Sequence, residues 1–161
     1  MAVQKPLVII SGQIQQIPSG DTLSAASSGV DVVSKLNANA GAIVKGTPVY
    51  VSSATQVDKA GATSVSLKKV LGLVSDVSVA AAASAFIQTD GILTATTAQW
   101  DAVAGTTGGL AFNTIYYLSA TAGLITATPP STGGQYVVKV GLGLSTTELE
   151  ISTDHEGVLL A

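Results

Sequence analysis

Thr47-Pro48-Val49-Tyr50-Val51-Ser52 returns further along the chain as Thr114-Ile115-Tyr116-Tyr117-Leu118-Ser119. Both stretches are dense in β-branched and aromatic residues, which suit a pleated, half-buried surface. Downstream, Val57 and Ala60 fall against Leu124 and Ala127 at the same offset, and after a short slip Val70-Leu71-Gly72-Leu73 falls against Lys139-Val140-Gly141-Leu142. Each unit reads as a strand, a turn, a second strand, a loop and a longer strand containing glycine. Two such units, about 42–76 and 109–144, can pack as pseudo-symmetric halves of one barrel or sandwich, each covering the apolar face the other exposes.

Outward from these repeats the chain is a series of short runs of Val, Ile, Thr and Tyr punctuated by Gly, Asn, Asp and Ser, the pattern of a mainly β fold. Strands are expected near 30–35, 42–45, 48–52, 55–59, 64–76, 84–88, 91–95, 114–119, 123–127, 135–144 and 147–152. One short helix is expected near 97–103: Thr96 and Gln99 have the spacing of a capping box, and Gly105 can end the helix. The Ala-rich stretch from Val79 to Ala85 suits either a helical turn or a strand. Trp100, Phe112, Tyr116, Tyr117 and Tyr136 are expected to form core and hairpin packing. In Gly141-Leu142-Gly143, glycines inside a strand mark a bulge or a close approach.

Ahead of this module, 30–152, residues 1–29 read as an extended arm and linker. Leu7-Val8-Ile9-Ile10, the turn signal Ser11-Gly12 and Gln13-Ile14-Gln15-Gln16-Ile17 suggest a hairpin, followed by a Ser-, Ala- and Gly-rich stretch. Residues 153–161 read as a C-terminal tail.

Composition narrows the function. Charged residues are 11% of 161 and hydrophobic residues 47%, whereas about a quarter charged is usual. A surface polar without being ionic does little to repel its own copies. The net charge is −3, and the seven basic residues are all lysines, scattered apart from the pair Lys68-Lys69. Without Arg or a basic run, nucleic acid is not the expected partner. No Cys is present, so there is no disulfide framework or thiolate chemistry. The apolar run at 7–10 is too short for a signal peptide, and no window reaches membrane-spanning length. Synthesis in a cytosol, with no membrane partner, is the expectation.

No catalytic constellation emerges. His155, the only histidine, sits between Asp154 and Glu156 near the C-terminus. A general base or metal ligand there would need partners that a second His or a Cys would supply, and no Gly-x-Ser-x-Gly elbow accompanies it. Glu148 and Glu150 share one face of a strand, a face expected to be wet. Gly108-Gly109 and Gly133-Gly134 lack the spacing of a phosphate-binding loop. The reading is of a non-enzyme with no catalytic residue, cofactor or metal.

The residues resemble a family. The opening Lys5-Pro6-Leu7-Val8-Ile9-Ile10-Ser11-Gly12-Gln13-Ile14-Gln15-Gln16-Ile17-Pro18-Ser19-Gly20-Asp21-Thr22-Leu23 resembles the start of many tailed-bacteriophage virion and tail-fibre proteins. The series Gly108-Gly109-Leu110, Tyr116-Tyr117-Leu118-Ser119, Gly123-Leu124, Pro129-Pro130 and Val140-Gly141-Leu142-Gly143-Leu144-Ser145-Thr146-Thr147-Glu148-Leu149 resembles a β-module of the same proteins. Ile43-Val44-Lys45-Gly46-Thr47-Pro48-Val49-Tyr50 is similar to openings of capsid cement proteins. The resemblance implies a capsid decoration protein on the virion surface, made in the host cytoplasm. Its expected partners are the major capsid protein or another virion protein, and its own copies in a homo-oligomer, expected as a trimer. The arm, through Leu7, Val8, Ile9, Ile10, Ile14 and Ile17, is the expected partner-binding element. The alternative is a short fibre, neck or baseplate accessory protein for host-surface recognition.

Overall fold

A computed structural model describes residues 30–161 and, ahead of them, the strands β1 (Leu7–Ile10) and β2 (Gln13–Gln16). The first half of the module holds β3 (Val32–Asn37), β4 (Ile43–Val44), β5 (Pro48–Val51), β6 (Gln56–Lys59), β7 (Val70–Val74), β8 (Ser78–Val79) and β9 (Ser84–Gln88). The second half holds β10 (Gly91–Thr94), the helix α1 (Thr97–Ala104), β11 (Thr114–Leu118), β12 (Ile125–Thr126), β13 (Tyr136–Val137), β14 (Lys139–Gly143), β15 (Glu148–Ile151) and β16 (Val158–Leu159). The fold is mainly β with one short helix, as the strand-forming composition requires.

The repeat is physical. β5 pairs with β6 on one side and β7 on the other, and β11 does the same with β12 and β14. Val49 stands opposite Gly72 and Tyr116 opposite Gly141; a bulge follows in each, between Val49 and Tyr50 and between Tyr116 and Tyr117. A left-handed residue leads into each strand region, Gly46 (φ 85°) and Asn113 (φ 55°). Their N–H groups donate to the carbonyls of Val74 and Gly143 at 2.9 and 2.7 Å. Both central glycines are dictated by sterics: a Cβ on Gly72 would overlap the Gln88 carbonyl, and one on Gly141 the Glu150 carbonyl. One equivalence shifts from the sequence alignment. Val57 pairs with Val51 as Ile125 pairs with Leu118, so the partner of Val57 is Ile125 rather than Leu124. The units also reach beyond the repeated stretches: β3 and β9 flank the first as β10 and β15 flank the second.

The two units close differently. In the first, the order β3-β6-β5-β7-β9 closes into a five-stranded barrel. The closing contact is parallel, Leu36 opposite Gln56 and Asn37 opposite Val57. In the second, the order β10-β15-β14-β11-β12 stays open. β10 ends at Thr94, where β3 runs two positions further in register, and the chain turns into α1, which lies against β12. The capping box forms as expected: Thr96 Oγ1 accepts from the Gln99 N–H at 3.2 Å and Gln99 Oε1 accepts from the Thr96 N–H at 2.9 Å. Gly105 ends the helix in the left-handed conformation, φ 63°.

Ile43, Val49, Val57, Val74, Val79, Ala85 and Ile87 fill the barrel. A second, larger core joins the units: Ala60, Ala62, Val70 and Leu73 of the first pack with Trp100, Tyr116, Leu118, Val140 and Leu149 of the second. Trp100 is fully buried and its indole N–H donates to the Thr147 carbonyl at 3.0 Å, which satisfies the one polar atom of the largest side chain in the core.

Several expected elements differ. Residues 64–69 form turns rather than the start of a long strand. The Leu67 N–H donates to Ser64 Oγ and the Lys68 N–H to the Ser64 carbonyl, a local alternative that outcompetes the strand. The expected strand 135–144 divides at Val138 into β13 and β14. The Val79–Ala85 stretch is no helix; it runs from β8 through a turn, with Ala82 at φ 59°, into β9. Phe112 is 79% exposed, not core. After β15, residues 153–161 return to the body, where β16 pairs with β13. Lys68 holds this segment, donating to the Glu156 carbonyl and lying 4.8 Å from the Tyr136 ring centroid.

Candidate assembly surface

Alternation along β3 and β9 sorts their side chains into two sets. Ala85, Ile87 and Asn37 are buried on the barrel side. In the other set Ser34 lies opposite Phe86 and Leu36 opposite Ser84, and these face out; Val32, two residues before Ser34, is exposed too, while Gln88 opposite it is buried. Val32, Leu36 and Phe86 are 48%, 39% and 53% exposed. The Ser34 and Ser84 hydroxyls meet at 2.8 Å between them. Beside Leu36 is a shallow depression of about 340 Å³ that reaches the β5–β6 turn at Ala54 and Thr55. The one charge on its rim, the Lys35 ammonium, donates to the Ala54 carbonyl at 2.6 Å. Isolated exposed apolar side chains are ordinary, but a contiguous apolar patch rimmed by polar groups marks a contact site.

The second unit serves as an internal control. Val32 stands opposite Gln88 as Ile92 stands opposite Glu150. By that register Phe86 corresponds to Glu148, and Leu36 to Thr96. Glu148 is half-buried and accepts from Ser145 Oγ at 3.2 Å. The same scaffold therefore accepts a carboxylate where the barrel carries Phe86, so the fold itself does not demand the apolar side chain.

Of the arm residues expected to bind partners, Leu7, Val8, Ile9 and Ile10 form β1 and Ile14 lies in β2, antiparallel and with Ile9 opposite Ile14. Ile17 lies outside the described residues. His155 is exposed at the edge of an open groove of about 570 Å³ shared with Tyr50, Ser66 and Lys69. Among the described residues, no three His, Asp or Glu side chains gather where a metal ion could be held, and no helix is long and apolar enough to cross a membrane.

Two polar clusters organise loops. Asp101, on α1, has its carboxylate held below the usual range, first by the Gly109 N–H, against an opposing desolvation, and then by the Thr106 hydroxyl and the Gly108 N–H. This ties the Gly108-Gly109 loop to the helix. Asn37, 1% exposed, donates through Nδ2 to the carbonyls of Gly41, Val79 and Ala80, each at 3.1 Å, and accepts the Asn39 N–H at 2.9 Å. It locks the loop after β3 to the segment after β8.

Sequence reasoning passed over Phe86, Leu36 and Asn37. Ala85-Phe86-Ile87 is a continuous apolar run, so no alternation marks which side chain turns outward. Asn37 stands in Asn37-Ala38-Asn39-Ala40-Gly41, which reads as ordinary turn composition. Comparison of the chain with the models of known protein families finds no match, and comparison with curated proteins finds none either.

Proposed function

We propose that this chain is a non-enzymatic structural protein of a tailed-phage particle that decorates and stabilises the capsid through multivalent contacts. The observation that carries the assembly half of this reading is the apolar outer face of β3 and β9, left open on a surface poor in charge. The phage half rests on the resemblance of the opening segment and of the Gly-Leu-Gly module. The N-terminal arm supplies the contact element, with Leu7, Val8, Ile9, Ile10, Ile14 and Ile17 as partner-binding residues. Burying four aliphatic side chains contributes about 1.5–3 kcal/mol each, and ordering the arm costs roughly 1–2 kcal/mol per residue. A single arm therefore binds weakly, and firm attachment comes from several acting together, as in a trimer. A second reading, host-surface recognition by a short fibre, neck or baseplate accessory protein, is favoured by one observation, the 79% exposed ring of Phe112.

The test is to incubate the purified chain with particles that lack it and to measure bound copies by sedimentation. Saturable binding of many copies per particle is expected, reduced at least tenfold by Val8→Asp with Ile10→Asp. Absence of binding to such particles refutes the capsid reading.

A further inference from the structure

We infer that the outer face of β3 and β9 is the seat for the β1–β2 hairpin of a second copy of this chain, so that copies join by exchanging arms. The inference names one partner of the arm; it rests on the geometry of this chain and holds whatever particle the chain serves.

Four observations carry it. First, the face is two strands wide, apolar at Val32, Leu36 and Phe86, with the hydroxyls of Ser34 and Ser84 between them. Second, the positions equivalent to Leu36 and Phe86 hold Thr96 and Glu148 in the second unit, while Val32 keeps an exposed apolar equivalent, Ile92, so Leu36 and Phe86 are the apolar side chains that serve something other than the fold. Third, the chain carries a matching occupant: β1 and β2 form a two-stranded antiparallel hairpin that includes Leu7, Val8, Ile9, Ile10 and Ile14. A lone two-stranded hairpin is marginal in water and needs an apolar surface to pack on, and sheet-on-sheet packing is the means by which two such layers bury side chains. Fourth, the chain meets the face at one end and on its strand axis. The Asp31 carbonyl accepts from both the N–H and the hydroxyl of Thr89, continuing the β3–β9 pairing past Val32. Between β2 and that point lie residues 17–31. At about 3.3–3.6 Å per residue, that stretch extends to roughly 50 Å, enough to reach an adjacent copy. Two charges that border the face are engaged within their own chain: Lys35 donates to the Ala54 carbonyl and Asp76 accepts from the Phe86 N–H.

The absence of cysteine makes the test clean. Single-cysteine variants Val8→Cys and Ser84→Cys, one bearing an affinity tag, are mixed and oxidised. The expected product is a covalent pair of twice the chain mass that contains one of each. In the doubly substituted chain, intermolecular products are expected to predominate. Phe86→Glu, which installs the residue type that the second unit holds at its equivalent position, is expected to keep the native circular dichroism and to abolish both the cross-link and self-association in light scattering. Failure of the mixed variants to cross-link, a double variant that cross-links only within its own chain, or a folded Phe86→Glu protein that associates like the parent would each overturn the proposal. Cross-linking in solution is read without particles, so its outcome is separate from that of the capsid-binding test.

Discussion

Replacing Asn37 by Asp changes almost no volume and removes the donors that hold the barrel's loops together. The native amide gives two N–H bonds to three carbonyls, those of Gly41, Val79 and Ala80, in a site 1% exposed. A carboxylate there has no proton to give and turns its charge toward the same three oxygens. Asn37→Ala loses the side-chain bonds, at about 0.5–1.5 kcal/mol net for each, so a loss of about 2–4 kcal/mol is expected. Asn37→Asp at pH 7 leaves a buried charge with no cationic partner and only the Asn39 N–H to accept from, against a usual cost of about 3–5 kcal/mol for a buried charge left unpaired. The pH dependence follows in sign. The folded-state pKa of the new carboxyl is raised above its unfolded value of about 3.9 by burial and by the carbonyls. Its extra penalty is therefore in force at neutral pH and fades as the pH falls through the raised folded pKa toward the unfolded value. Urea unfolding followed by circular dichroism and by the fluorescence of Trp100, the sole tryptophan, measures both variants at pH 7 and near pH 4. An Asp variant within about 0.5 kcal/mol of the parent at pH 7, the range of a neutral surface change, would refute the reasoning, as would a deficit that does not shrink in acid.

The paired glycines predict paired effects: Gly72→Ala and Gly141→Ala should each destabilise by about 1–3 kcal/mol or more, since a Cβ meets backbone carbonyl in both. Gly108→Ala, at φ +87° with open space around it, should cost less, roughly 1–2 kcal/mol; thermal unfolding that ranks Gly141→Ala below Gly108→Ala would break the argument. Asp101 titrates with the opposite sign to an Asp at position 37. Its folded pKa is lowered, so its contribution is complete above the unfolded carboxylate value and is lost as the pH falls through the depressed folded value. Asp101→Asn should be less stable than the parent at pH 7 and should approach it in acid; a constant gap across that range in thermal melts would contradict the assignment.

What could be read from the sequence was what local chemistry decides. The capping box at Thr96 and Gln99 needs only two side chains and a turn of helix, and it forms. The repeated strand, bulge and glycine at Val49–Gly72 and Tyr116–Gly141 are visible because a glycine that must avoid a carbonyl leaves a mark in the sequence. The barrel's closure is not visible, because it depends on a parallel meeting of Leu36 with Gln56 that no local pattern announces. Residues 64–69 alternate like a strand, yet Ser64 bonds its own backbone neighbours and turns them. Phe112 has the composition of a core residue but stands in the loop before the left-handed Asn113. The apolar face was hidden for a related reason: burial of Ala85 and Ile87 and exposure of Phe86 between them is a tertiary outcome.

The central claim is that this chain lives on a particle as many copies joined by its arm and barrel face. Electron cryo-microscopy of the purified native particle tests it most directly. The account predicts density for the five-stranded barrel and its open companion sheet at regularly repeated positions over the head, with a hairpin seated on the β3–β9 face of a neighbouring copy. Particles that contain no copy of the chain, or that carry it with that face bare to solvent, would contradict it.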